Sequence, residues 1–118
     1  RIPIEMKIEI QDEYEELFDL IGCYFNQDWK MEANSVEESI KNYLSEFQKT
    51  SVDQCLFEIG QILEMVNQNK IDAEHLLLED FDVGYDYPSA GFTGKEWLEH
   101  IRNLILELRK TVNFQPSK

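Results

Sequence analysis

A chain of 118 residues with 24 Asp and Glu against 11 Lys and Arg, a formal net charge of −13, is a poor partner for nucleic acid or an anionic membrane surface, since phosphate binding needs clustered cations. Its length suits one domain with one real core, and 42% hydrophobic with 30% charged residues is an ordinary globular composition. The acidity either complements a basic protein partner or only keeps the chain soluble.

The chain opens with "RIPIEMKIEI", in which Ile2, Ile4, Met6, Ile8 and Ile10 alternate on one face, a strand period. A single strand has nothing to pair with. Residues 1–10 therefore read as an extended arm on the core, an edge for another chain, or an extension ahead of a natural start at Met6. No signal-peptide pattern is visible.

From Gln11 the period becomes helical, with Tyr14, Leu17, Phe18, Ile21, Tyr24 and Phe25 recurring at three and four. Ser35-Val-Glu-Glu38 is a capping-box start, followed by the stripe Val36, Ile40, Tyr43, Leu44 and Phe47. Ser51-Val-Asp-Gln54 repeats the pattern before Cys55, Leu56, Ile59, Leu63 and Val66. A short helix is expected from Asp72 through Leu78. Then comes the long connection "DFDVGYDYPSAGFTG", rich in Gly, Asp and Tyr and broken by Pro88. Thr93-Gly-Lys-Glu96 is a third capping box, launching Trp97, Leu98, Ile101, Leu104, Ile105 and Leu108. The expected fold is all-α: a single-domain bundle of about four long helices and one short helix over residues 11–112, an extended N-terminal arm, and a loose tail at 113–118.

Tyr24, Phe25 and Trp29 place three aromatic rings within six positions, interleaved with Asn26, Gln27 and Asp28. Such a run suits a ligand cage, a catalytic cluster or a buried helix end. On helical geometry Phe25 and Trp29 enter the core together, Tyr24 and Asp28 share their side, and Gln27 and Asp28 are placed to satisfy the Tyr24 hydroxyl and the Trp29 N–H. The run therefore reads as a structural plug, with Tyr24, Phe25, Asp28, Trp29 and the later Trp97 as core residues.

Chemistry-bearing patterns are sparse. His75 and His100 fall on different helices, and the pair Glu96 and His100 lacks the third and fourth ligands that zinc needs. Asp80, Asp82 and Asp86 do not fit a calcium loop. Cys23 and Cys55 form no CxxC pattern and read as buried free thiols. There is no nucleophile elbow and no phosphate-cradling glycine loop. Neither an enzyme nor a cofactor, metal or small-molecule site is expected. No apolar run approaches the ~20 residues that span a bilayer.

"LFDLIGCYFNQDW" at 17–29 followed by "SVEESI" at 35–40 resembles the signature of small immunity proteins from bacterial contact-dependent growth inhibition systems. "YDYPSAGFTGKEWLEHI" at 85–101 resembles the segment that closes that domain. The resemblance covers roughly residues 14–108. Asn26 stands where the family has His, and Ser89-Ala90 where acidic residues are common. The resemblance implies a cytoplasmic binding protein that neutralises the C-terminal toxin domain of a secreted exoprotein. Many such toxins are basic nucleases, which an acidic helical protein can block by imitating their substrate's charge. The alternative is another acidic interaction module or nucleic-acid mimic aimed at a different basic protein, colicin-type immunity included.

The segment "EDFDVGYDY" at 79–87 is the expected binding surface. Glu79, Asp80, Asp82 and Asp86 supply charge for steering, and Tyr85 and Tyr87 supply anchors of the kind enriched at interface hot spots.

Overall fold

The computed structural model describes residues 11–111; the expectations for the alternating segment 1–10 and for the tail at 113–118 lie outside the described residues. The helices are α1 (Glu15–Tyr24), α2 (Trp29–Glu32), α3 (Val36–Glu46), α4 (Lys49–Asn67), α5 (Ala73–His75), a π-helical turn (Leu76–Asp80) and α6 (Gly94–Leu108). No strand occurs among the described residues, so the fold is all-α. The central α4 packs on α1 and α6, α3 packs on both α1 and α6, and α5 lies against α6.

The stripes read from the sequence are the buried faces. Leu17, Leu20 and Ile21 of α1 meet Cys55, Ile59 and Ile62 of α4, Ile40, Tyr43 and Leu44 of α3, and Leu98, Ile101 and Ile105 of α6 in one continuous core. Burial of this apolar area is the main source of stability.

The helix starts are where sequence and structure part. The reciprocal capping box is complete at Thr93, whose hydroxyl accepts from Glu96 N while the Glu96 carboxylate accepts from Thr93 N. Ser35 caps α3 by accepting from Glu38 N at 3.1 Å. Ser51, in contrast, is not a cap. Helix α4 starts two residues earlier, at Lys49, with Gln48 at its N-cap in extended geometry (φ −74, ψ 155). The Ser-x-x-Gln pattern there is embedded in a helix that Lys49 and Thr50 can already join. Thr93→Ala should therefore cost ~1 kcal/mol, while Ser51→Ala should stay within ~0.5 kcal/mol of the parent, as for a surface change away from such features. Urea unfolding of the two variants, compared side by side, checks the difference.

Two helix starts are satisfied by glutamates from elsewhere in the chain. Tyr14 at the N-cap of α1 makes no side-chain cap bond. Instead Glu58 Oε1, on α4, accepts from Leu17 N at 3.0 Å. Glu58 is only 3% exposed, and its second oxygen accepts from Gln54 Nε2 at 3.0 Å. At α6 the carboxylate of Glu74 accepts from Gly94 N, the first amide of the helix. Both arrangements place a negative group where the helix dipole and the orphan N–H groups favour it.

Candidate functional site

The connection between the π turn and α6 is fixed from below by stacked rings. Tyr85 and Tyr87 each stack on Trp97, with centroid distances of 5.7 Å and interplanar angles of 24° and 17°. Phe25 meets Trp97 edge-on at 5.4 Å, and Trp29 meets Tyr85 edge-on at 5.3 Å. The aromatic run at the end of α1 and the tyrosines of the connection thus form one cluster around Trp97. Backbone contact reinforces it. Gly84 N donates to Phe25 O at 2.7 Å, and a Cβ at Gly84 would collide with the Asn26 and Gln27 backbone. Only glycine allows that approach.

The Tyr87 hydroxyl reaches the carboxylate of Glu74 at 3.5 Å, the same carboxylate that accepts from Gly94 N. Burial first, and the neighbouring Glu74 second, push the Tyr87 phenol up to about 12. The phenol is therefore a neutral donor at any physiological pH.

The residues expected at a binding surface separate into two groups. Asp80 and Tyr87 are buried, at 3% and 0% exposure. The π turn rotates Asp80 inward, where its carboxylate lies 3.9 Å from His75 Nε2, and turns Leu78 and Glu79 outward. As a correction to the surface read from the sequence, neither Asp80 nor Tyr87 is accessible to a partner. Glu79, Asp82 and Asp86 are exposed, and Tyr85 is half-buried. Asp82 holds a left-handed backbone (φ 51), and Asp86 is oriented by Ser89, whose hydroxyl donates to Asp86 Oδ2 at 2.6 Å.

The residues grouped as core separate too. Phe25, Trp29 and Trp97 are buried and Tyr24 is half-buried. Asp28 is exposed and is not a core residue. Helix α1 stops at Tyr24, so the helical projection that placed Asp28 beside Tyr24 no longer applies. The Tyr24 hydroxyl donates to Glu46 Oε1 of α3 at 2.5 Å rather than to Gln27 or Asp28. Burial, then this bond, raises the Tyr24 phenol well above its ordinary value. Cys55 is buried, but Cys23 is exposed on the outer side of α1.

The turn after α1 is preorganised. Asn26 Nδ2 donates to Gly22 O at 3.2 Å, and Asn26 Oδ1 accepts from Asp28 N at 2.9 Å. On one side of this turn a cleft of about 820 Å³ lies against α3, with Cys23, Asp28, Met31, Asn42 and Glu46 among its walls. On the other, a cleft of about 500 Å³ lies between Gln27, Trp29 and Lys30 and the connection at Gly84, Tyr85 and Asp86. Sequence reading missed Met31, Glu46 and these clefts, because a turn between two helices leaves no periodic trace. Glu58 did leave one: a carboxylate inside the buried stripe of α4 that needs a partner.

Among the described residues no group of three or more His, Cys, Asp and Glu could hold a metal ion, and no helix is long and apolar enough to cross a membrane. A profile described as "CdiI immunity protein" matches residues 13–105, most of the chain. The chain belongs to the CdiI immunity protein family. A chain in a solved structure, "Crystal structure of CdiA-CT/CdiI complex from Y. kristensenii 33638", superposes on this family member with a TM-score of 0.73 at 27% identity, covering 82% of this chain and 97% of that one. Among curated proteins there is no match. The recognition motifs quoted above all lie within the matched span, and the segment at 17–29 supplies Phe25 and Trp29 to the buried cluster together with the preorganised turn of this CdiI fold.

Proposed function

We propose that this CdiI family member binds the C-terminal toxin domain of its own contact-dependent growth inhibition system in the cytoplasm and neutralises it by occlusion, without catalysis. The toxin domain is basic and of nuclease type, and the immunity protein meets it with an acidic surface. The similarity to a chain from a CdiA-CT/CdiI complex carries the reading. The net charge of −13 supports the partner's sign. The contact surface includes Glu79, Asp82 and Asp86 around the half-buried Tyr85, next to the aromatic cluster; Asp80 and Tyr87 support it from within.

The test is association and dissociation rates with the co-expressed toxin domain at two salt concentrations. Asp82→Lys with Asp86→Lys should slow association by about tenfold or more at low salt and flatten its salt dependence, since rim charges act mainly on the on-rate. Rates equal to those of the parent, with the fold intact, would remove this surface from the interface. A parent protein that leaves the toxin domain's nucleic-acid cleavage unaffected would overturn the function itself.

A further inference from the structure

The short helix α2, just after the turn that follows α1, presents an apolar side chain that folding does not use. Met31 is 82% exposed, although the same short helix buries Trp29 beneath it. The backbone around it is held by the Asn26 side chain and by Ala33 N, which donates to Trp29 O at 3.1 Å. Met31 is therefore displayed on a rigid ridge with a cleft on each side. A flexible thioether suits contact with an irregular surface.

The larger cleft, toward α3, has a defined electrostatic character. Asp28 and Glu46 stand in its walls, and neither joins an ion pair among the described residues. Glu46 gives one oxygen to the Tyr24 hydroxyl, which fixes the carboxylate and leaves its second oxygen for another donor. The smaller cleft carries Lys30 opposite Asp86, so the two sides of the ridge differ in sign pattern.

We infer that the Asn26–Met31 ridge is a second part of the toxin-docking surface, continuous with the 79–87 connection: Met31 inserts into an apolar depression of the toxin domain, and the cleft toward α3 receives a long cationic side chain, Lys or Arg, from it. The inference rests on the proposed function for the identity of the partner. Charge complementarity selects the occupant. A chain of net charge −13 with two carboxylates in one cleft that join no ion pair among the described residues favours a cation, and a volume of about 820 Å³ has room for a guanidinium or ammonium on its stem. Neutral or anionic occupants would leave those carboxylates uncompensated on burial.

Two variants test the ridge without touching its supports. Met31→Lys replaces the displayed thioether with a charge. Cys23→Arg places a guanidinium at the cleft wall, where it competes for Asp28 and Glu46; Cys23 is exposed at the end of α1, where a cation is tolerated. The probe is the co-expressed toxin domain, with Phe57→Lys on the outer face of α4 as a control and thermal unfolding to verify each fold. The expected result is about tenfold or weaker affinity for both ridge variants, faster dissociation for Met31→Lys, and parental affinity for Phe57→Lys. Parental affinity in Met31→Lys and Cys23→Arg, with Asp82→Lys and Asp86→Lys still impaired, overturns the ridge while leaving the proposed function standing. Absence of binding by the parent protein would instead overturn the proposed function.

Discussion

Trp97→Ala should lower the unfolding free energy by about 3–5 kcal/mol, the range for large-to-small changes of aromatic core residues. Trp97 is 1% exposed and touches Phe25, Tyr85 and Tyr87. Removing the indole leaves a cavity that the rings around it close only in part, because two of them are fixed elsewhere. Phe25 is tethered by its own carbonyl to Gly84, and Tyr87 by its hydroxyl to Glu74. The loss therefore includes the aromatic pair energies as well as buried area. Trp97→Phe, which keeps a ring against Phe25, should recover much of it. The readout is the urea midpoint at constant m-value. A Trp97→Ala protein that unfolds at the parental midpoint would mean that the cluster does not hold the connection in place.

Glu58→Ala should cost about 1–3 kcal/mol, although it removes a charge from the interior. Leu17 N, buried at the start of α1, loses its acceptor, while the exposed Gln54 side chain can turn to water. An orphaned buried donor costs the full desolvation of the group, ~1–3 kcal/mol. Glu58→Gln retains an amide oxygen for Leu17 N and should lie between the parent and alanine. Circular dichroism together with urea unfolding distinguishes a lost helix start from a general loss of packing. Parental stability in Glu58→Ala would mean that water or Tyr14 satisfies α1 without it.

The all-α fold was legible because three signals agreed: period-3.6 stripes, cap residues at the period changes, and glycine, asparagine and proline between them. Those signals are local, and they failed where the outcome was not. Ser51 has the chemistry of a cap, yet helix propensity carries the start of α4 back to Lys49. Asp80 looked like a surface acid because nothing in the string "LLLEDFD" announces a π turn, and one residue of extra winding is enough to point it inward. Asp28 is misplaced by extending the helical projection of α1 past Tyr24, and Cys23 by reading a thiol within an apolar helical run as buried. The exposed acids Glu79, Asp82 and Asp86 could be read from composition. The clefts beside the Asn26–Met31 turn could not, since they exist only where α1, α3 and the 81–93 connection come together in space.

The two borrowed glutamates determine how much of this protein can exist at a time. At ten residues, α1 is shorter than the ~12–15 that make an isolated helix even marginal in water. The amide of Leu17, in its first turn, is answered from 41 positions away, and the leading amide of α6 from 20 positions away. Each helix start is completed by a carboxylate on another element, although α6 also carries its own Thr93–Glu96 box, so partial folds forgo part of their stabilisation and the chain is expected to move between its states as one unit. A ligand that binds only the folded form then stabilises every helix together, by RT ln(1 + [L]/Kd). Capture of a toxin domain at one edge of the bundle would slow amide exchange at the far end of α4 as well, and an immunity protein released from its target would be degraded as a whole rather than nicked.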